Sequence, residues 1–345
     1  KDLFIFPIQL AGYVTHVQKT VAQSQLPPDL KNVVKIIIST NIVESSITIP
    51  DLAAVIDSGL YNRVKFDPQT EISKINKEPI SLKMATQRRG RVGRTRRGVY
   101  VGIKIGEYQN IEPQIKTSDL SASLLSLRNI GIKLEEVEML PDKPDQNQVM
   151  QNLDDLKAIR ALNEDGNITD KGKEICLYSN DFSPFFAAVI LNIRDNMTDD
   201  NREYYEILSA LIILIMTSQQ LVMNPNCQNL QRNYDQSSDI ITILKTFSEL
   251  FEDSFQEQKE KCFRFGFETN AFSRLITSFS NFIHKVFKRN ENDRGFLRRH
   301  FKEIRKLISK IDLNSFINYV IDNINAIKPK WISERMFDFG GISGL

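Results

Sequence analysis

Val33-Val34-Lys35-Ile36-Ile37-Ile38-Ser39-Thr40-Asn41-Ile42-Val43-Glu44-Ser45-Ser46-Ile47-Thr48-Ile49 is the stretch that decides the fold class. Its first seven residues are a nearly unbroken β-branched run, the pattern of a parallel strand buried on both faces. The run ends in small hydroxyl and amide side chains, and ligands of parallel α/β sheets sit at strand ends. Hydroxyls and backbone N–H groups there can grip phosphates without reading bases. Thr40 and Asn41 are equally good helix caps, so capping and phosphate contact both stay open for them.

Outward from this stretch, strand and helix patterns alternate. Residues 4–8 form a short apolar strand, and 12–23 a helix closed by Pro27-Pro28. Residues 53–56 are a further strand, ended by Asp57-Ser58-Gly59. Segments 61–66 and 71–76 flank the turn Asp67-Pro68-Gln69-Thr70 and read as a hairpin. Another strand at 99–103 completes an α/β layer with a parallel sheet. From about residue 110 the texture turns helical. Leu120, Leu124 and Leu127 share a helix that Ser118 or Asp119 can cap and Gly131 can end. Leu153, Leu156, Ile159 and Leu162 follow at helical spacing, then a polar turn around Gly166 and a helix from Asp170. Three helices and a tight turn in some seventy residues suit a winged-helix unit. Long amphipathic segments at 185–194, 203–217, 239–251, 272–287 and 296–311 predict an all-α bundle. The Asn/Gln-rich stretch 224–236 reads as a loop.

A chain of 345 residues has room for two or three cores. Its 45 basic and 43 acidic residues nearly cancel, but they are unevenly placed. Residues 83–97 hold seven basic side chains and no acidic one, and a second basic cluster covers 294–310, local fields that suit polyanions. In the second cluster Leu297, Phe301, Ile304 and Ile308 form an apolar stripe opposite Arg298, Arg299, Lys302, Arg305 and Lys306; a solvated outer face explains it as well as RNA contact does. Cys176, Cys227 and Cys262 are isolated and only three histidines are present, so no metal site is expected. Sparse unpaired cysteines fit a reducing compartment. No apolar run reaches membrane-spanning length; 211–216 reads as buried helix. The first residue is Lys1, not Met, which reads as a piece of a longer chain in which a targeting signal would be invisible.

The strongest chemical signal is Gln87-Arg88-Arg89-Gly90-Arg91-Val92-Gly93-Arg94. Glycines between arginines let forked, permanently charged donors approach a ligand closely. Such guanidinium groups can stabilise charge on a transferring phosphoryl group, and they can equally form an RNA-binding surface.

Together these two stretches resemble motifs V and VI of the DEAH/RHA helicases, in the right order and spacing and with the Asp57-Ser58-Gly59 turn between them. The likeness continues through Glu112-Pro113-Gln114-Ile115-Lys116-Thr117 and the Leu162-Asn163-Glu164-Asp165-Gly166 region, and it thins after about residue 289. The resemblance implies a truncated second RecA-like domain at 1–110, a winged-helix domain at 111–185 and a ratchet-like helical bundle at 186–345. It also implies ATP-dependent RNA unwinding. Arg91 and Arg94 match the family's arginine fingers, Gln87 its nucleotide-contacting glutamine and Ser46 its γ-phosphate sensor. Thr40, Asn41 and Thr48 match RNA-backbone contacts, and the hairpin at Pro68 the element that parts strands. ATP and Mg would be held mainly by the missing N-terminal helicase half, and RNA (DNA remaining possible) would be the partner, in cytoplasm or nucleus.

The departures from the family pattern are specific. Val21 stands where an adenine-stacking aromatic is usual. Arg89 and Val92 replace the usual alanines, which leans toward the viral, poxvirus-type branch and a cytoplasmic viral factory. No G-x-x-x-x-G-K-[ST] or D-E-x-H occurs, and Gly172-Lys173 is followed by Glu174, so it is no P-loop. For the same reason the isolated chain is expected to be inactive. A different class of reading stays open: a non-catalytic nucleic-acid- or protein-binding module in a viral replication or transcription complex.

Overall fold

The computed structural model describes residues 3–10, 16–27, 29–45, 47–50, 52–67, 72–103, 108, 110–133, 140–198, 200–218, 221–253, 255–287 and 294–328. Packing divides the chain into two units, with the line between Ser118 and Asp119.

The first unit runs β1 (Phe4–Leu10), α1 (His16–Gln23), β2 (Val33–Ser39), α2 (Ile42–Ser45), β3 (Ala54–Asp57), β4 (Leu60–Asp67), β5 (Ile72–Pro79), α3 (Leu82–Arg89) and β6 (Val99–Gly102). β1 pairs in parallel with β2, placing Ile8 opposite Ile37 and Leu10 opposite Ser39. β3 pairs in parallel with β6, placing Asp57 opposite Gly102. β4 and β5 pair with each other, as the hairpin reading requires; its turn at 68–71 lies outside the described residues.

Ile8, Leu10, Ala22, Ile47 and Ile49 form the buried cluster over one face of β1 and β2, with Val21, Ile37 and Val43 packed against it. Val21 is partly buried and packs against this cluster. Lys35 fastens α1 to β2 by donating from Nζ to the Ala22 and Ser24 carbonyls at 3.1 and 2.7 Å, a cation placed on a helix's orphan C-terminal acceptors. The expectation that β2 is covered on both faces needs correction. Ile36 and Ile38 are 40% and 63% exposed. A β-branched run reports strand propensity but not how many layers lie over the strand, and the described elements of this unit cover one face.

The second unit contains α4 (Ser121–Asn129), α5 (Gln146–Ala158), α6 (Asp170–Tyr178), α7 (Pro184–Asn196), α8 (Arg202–Thr217), α9 (Gln228–Arg232), α10 (Asp239–Ser248), α11 (Phe255–Lys261), α12 (Thr269–Val286), α13 (Arg294–Lys310) and α14 (Leu313–Ile327). Its helix starts follow local chemistry. Side chains of Asp145, Thr169, Ser183 and Asp312 accept N–H bonds from the first turns of α5, α6, α7 and α14. Gly131 (φ +78°) ends α4 and Gly166 (φ +77°) makes the turn before α6, both left-handed positions that favour glycine.

α8 is the central helix: every residue from 206 to 216 is buried. Each fully buried leucine or isoleucine there contributes roughly 1.5–3 kcal/mol. Phe251, Phe279 and Phe301 stack on one another with centroids 4.8–6.0 Å apart, locking α12 and α13 against the turn that follows α10. On α13 the expected stripe is present: Phe301, Ile304 and Ile308 are buried, while Arg298, Arg299, Lys302 and Lys306 are exposed. Three elements of this unit differ from the sequence reading. α11 falls between the expected segments 239–251 and 272–287. α9 interrupts the Asn/Gln-rich stretch expected to be loop, and α14 forms beyond the last expected helix, capped by Asp312. Within this unit α6 shares a core with the later helices, since the Tyr178 ring lies 4.7 Å from Phe282.

Glu206 sits inside this core at 2% exposure. It accepts from the Tyr178 hydroxyl at 2.8 Å, with Arg194 Nη1 at 4.0 Å. Burial raises its pKa from 4.5 to about 7, and the Tyr178 bond and the Arg194 charge oppose the rise without cancelling it. The folded state thus holds a proton that the unfolded chain releases near pH 4.5. Stability from this group is present below that value and falls as pH rises to about 7, by roughly 3 kcal/mol in all. Glu206→Gln keeps an acceptor for Tyr178 but cannot ionise. The variant is expected to match the parent in urea melts near pH 5 and exceed it at pH 8. An offset identical at both pH values would show that the carboxyl does not titrate in this window.

Candidate functional site

α3 had no counterpart in the sequence reading, yet it organises the site. Ser81 Oγ accepts from Met84 N–H at 3.2 Å to start the helix, and the Gly90 N–H closes it on the Thr86 carbonyl at 2.9 Å. The helix therefore ends inside the arginine run. Gln87 is exposed on its last turn, Arg88 points into the protein, and residues 90–98 turn away as irregular chain with Gly93 at φ +82°.

Arg88 and Asp57 each make three side-chain hydrogen bonds. The Nε of Arg88 donates to Glu44 Oε2 at 3.0 Å, and its Nη1 donates to Asp57 Oδ1 at 2.7 Å and to the Leu60 carbonyl at 3.1 Å. Asp57 also accepts from the Gly59 N–H at 2.9 Å and the Tyr100 hydroxyl at 2.8 Å. The side chains of Arg88, Glu44 and Asp57 are 13%, 11% and 2% exposed. Burial alone would raise the Asp57 pKa, but Gly59, Tyr100 and Arg88 together hold it below its ordinary value. Burial would lower the Arg88 pKa, and its two carboxylates hold it above. The Tyr100 hydroxyl is pushed up to about 12, by burial first and then by Asp57. A forked guanidinium suits this arrangement because it can bond several acceptors at once.

Arg91 and Arg94 lie beyond this anchor. Arg91 Nη2 donates to the Glu44 carbonyl, while its Nε is buried with no hydrogen-bond partner. Arg94 Nε donates back to the Gly90 carbonyl at 3.1 Å, and its Nη1 reaches Thr48 Oγ1 at 3.5 Å. The fold thus sets Arg91 on Glu44 and Arg94 beside Thr48, along the segment that follows β2. Thr40 and Asn41 are exposed at the end of β2, where the Thr40 N–H bonds the Leu10 carbonyl at 3.2 Å and the Asn41 carbonyl accepts from Glu44 N–H at 2.9 Å. α2 is a single turn. Ser46 lies outside the described residues. Beside Asn41 a cleft of about 950 Å³ opens, lined also by Tyr61, Arg63, Lys83, Tyr108 and Gln114.

Sequence reasoning quoted Glu44, Asp57 and Arg88 inside their motifs but assigned none of them. Complementary charges 44 and 31 positions apart share no periodicity from which the pairing could be read.

The donors here suit the phosphate end of a nucleotide: two arginines, one with a buried unpartnered Nε, beside exposed amide and hydroxyl groups. They do not suit its divalent cation, because Glu44 and Asp57 are committed to Arg88. No group of three or more His, Cys, Asp or Glu among the described residues is placed to hold a metal.

Residues 11–96 match the family model of the helicase conserved C-terminal domain. The ATP-dependent RNA helicase HrpA of Borreliella burgdorferi is 34% identical over 183 residues, covering 52% of this chain and 22% of that protein. Two solved structures of Escherichia coli HrpB share the fold. The one described as a DExH-box NTPase has a TM-score of 0.56 at 17% identity over 93% of this chain and 32% of its own. The one described as a DEAH/RHA helicase has a TM-score of 0.52 at 23% identity over 61% of this chain and 26% of its own. The small parallel α/β region followed by a helical region is therefore an arrangement seen in HrpB. The chain spans about a fifth of the HrpA relative's length. No helix among the described residues is long and apolar enough to cross a membrane.

Proposed function

We propose that this chain is the C-terminal half of an ATP-dependent RNA helicase of the DEAH/RHA type. It works with a P-loop-bearing half that holds most of the ATP and its Mg. Residues 1–110 act as the second RecA-like domain, 111–185 as a winged helix and 186–345 as a ratchet-like bundle. Arg91 and Arg94 serve as arginine fingers, Gln87 and Ser46 contact the nucleotide, and Thr40, Asn41 and Thr48 hold RNA backbone.

The observation that carries this reading is the convergence of Arg91 and Arg94 on residues 44–48, with Arg91 on the Glu44 carbonyl and Arg94 on Thr48. When bound, ATP supplies the phosphoanhydride whose hydrolysis drives the motor. The chain's own part is electrostatic: guanidinium groups fixed on the Arg88 anchor present positive charge to a phosphoryl group as its charge develops. RNA rather than DNA is favoured by the HrpA relative. The poxvirus-type branch rests on Arg89 and Val92 alone. The alternative, a non-catalytic nucleic-acid-binding module, draws on the exposed cationic row of α13.

Phosphate release is the direct test. The isolated chain, mixed with RNA and ATP, is expected to turn over no ATP. Joined to its P-loop-bearing half, it is expected to hydrolyse ATP faster when RNA is added. Turnover by the isolated chain that Arg91→Ala abolishes would overturn this division of labour, and a complete protein that binds RNA without hydrolysing ATP would favour the binding module.

A further inference from the structure

The arginine run contains four arginines at positions 88, 89, 91 and 94, and the structure separates one from the rest. Arg88 has its Nε on Glu44 and its Nη1 on both Asp57 and the Leu60 carbonyl, with 13% of its side chain exposed. A guanidinium held this way has little left to offer a phosphate. What it holds is informative. Glu44 is the residue whose own carbonyl receives Arg91. Asp57 ends β3 and, through the Tyr100 hydroxyl, is bound to β6. One side chain therefore joins the end of β3, the turn α2 and the last turn of α3, three residues before Arg91.

We infer that Arg88 is a positioning residue for the reaction. Clamped between Glu44 and Asp57, it sets the place of the Glu44 carbonyl and hence the direction of Arg91, without touching the nucleotide itself. The inference rests on the arginine-finger reading of Arg91. Lysine keeps the charge but presents one compact ammonium, which cannot occupy the carboxylates of Glu44 and Asp57 as a fork does. Glu44→Gln keeps the backbone carbonyl for Arg91 and weakens only the clamp, so it is the milder variant should Arg88→Lys fail to fold.

The test is a double-mutant cycle on ATP turnover in the complete helicase, at saturating RNA, with RNA affinity measured alongside. Arg88→Lys is expected to lower kcat about 30-fold, and Glu44→Gln about 10-fold, with KM for ATP and RNA affinity within about threefold of the parent. Because Arg88 acts through Arg91, adding either change to Arg91→Ala is expected to cost less than threefold more. A merely structural role would instead lower RNA affinity together with kcat and multiply fully with Arg91→Ala; that result overturns the inference. So does a normal kcat in Arg88→Lys and Glu44→Gln when Arg91→Ala alone is crippled, which leaves the finger reading standing. A normal kcat in Arg91→Ala removes the finger reading and the inference with it.

Discussion

On the arginine-finger proposal, Arg94→Lys is expected to reduce kcat for ATP almost as severely as Arg94→Ala in the complete protein, by about 10³-fold, with little change in apparent affinity for ATP. A finger acts on charge that develops in the transition state, so its loss falls on kcat and not on ground-state binding. Fingers of this kind contribute roughly 10³ to 10⁵ in rate in well-studied phosphoryl-transfer systems. The structure adds a reason why lysine cannot substitute. Arg94 spends its Nε on the Gly90 carbonyl and reaches Thr48 with Nη1, so one part of the fork orients the rest. An ammonium has no such division. If the arginine run were only a polyanion-binding surface, Arg94→Lys would keep most of kcat at saturating RNA. Arg94→Ala would then show weaker RNA binding and a shallower salt dependence. Steady-state ATPase rates across an RNA titration, repeated at two salt concentrations, separate the two readings; a lysine variant with near-normal kcat would sink the finger assignment.

Gly172→Ala is expected to destabilise the helical unit by about 2–3 kcal/mol, although it places a better helix former within α6. An added Cβ would lie 2.1 Å from the Ala161 carbonyl oxygen and 2.8 Å from Ile168 Cγ1. The carbonyl cannot step aside cheaply, because it already accepts the Thr169 N–H at 3.0 Å, and Thr169 Oγ1 in turn caps Gly172 N–H at 2.9 Å. Helix propensity favours alanine by about 1 kcal/mol. Overpacking a tight site costs about 1–3 kcal/mol, and more where backbone is the obstacle, so the clash wins. Thermal and urea unfolding measure the balance. A raised midpoint would mean that α6 slides away from Ala161 at no cost. The glycine at 172 is thus explained by close packing of a helix start on Ala161 and Ile168.

The sequence by itself determined many of the features that depend on neighbours within a few positions, although the local caps Ser81 and Asp312 and the helices they start went unread. The β-branched run at 33–38 forms a strand, Ser183-Pro184 starts α7, and the glycines at 131 and 166 take left-handed turns. The apolar stripe of α13 falls where its spacing of three and four residues puts it. These outcomes follow from backbone sterics, capping and helical or strand period, all of which are local. Residues 40–48 and 87–94 were likewise legible as chemistry, through their residue types and order.

Tertiary structure alone decided which of those residues meet. It left Ile36 and Ile38 of β2 exposed, because the number of layers over a strand is a property of distant elements. It joined α6 to the later helices, where Tyr178 packs on Phe282 of α12 and bonds Glu206 of α8. It turned Arg88 inward while Arg94, six residues on, stayed exposed. An arginine's sequence neighbours say only that it is charged. Whether it ends in water, on a phosphate or on two buried carboxylates is settled by where the fold delivers Glu44 and Asp57, and ion pairs across such separations leave no period in the chain to read.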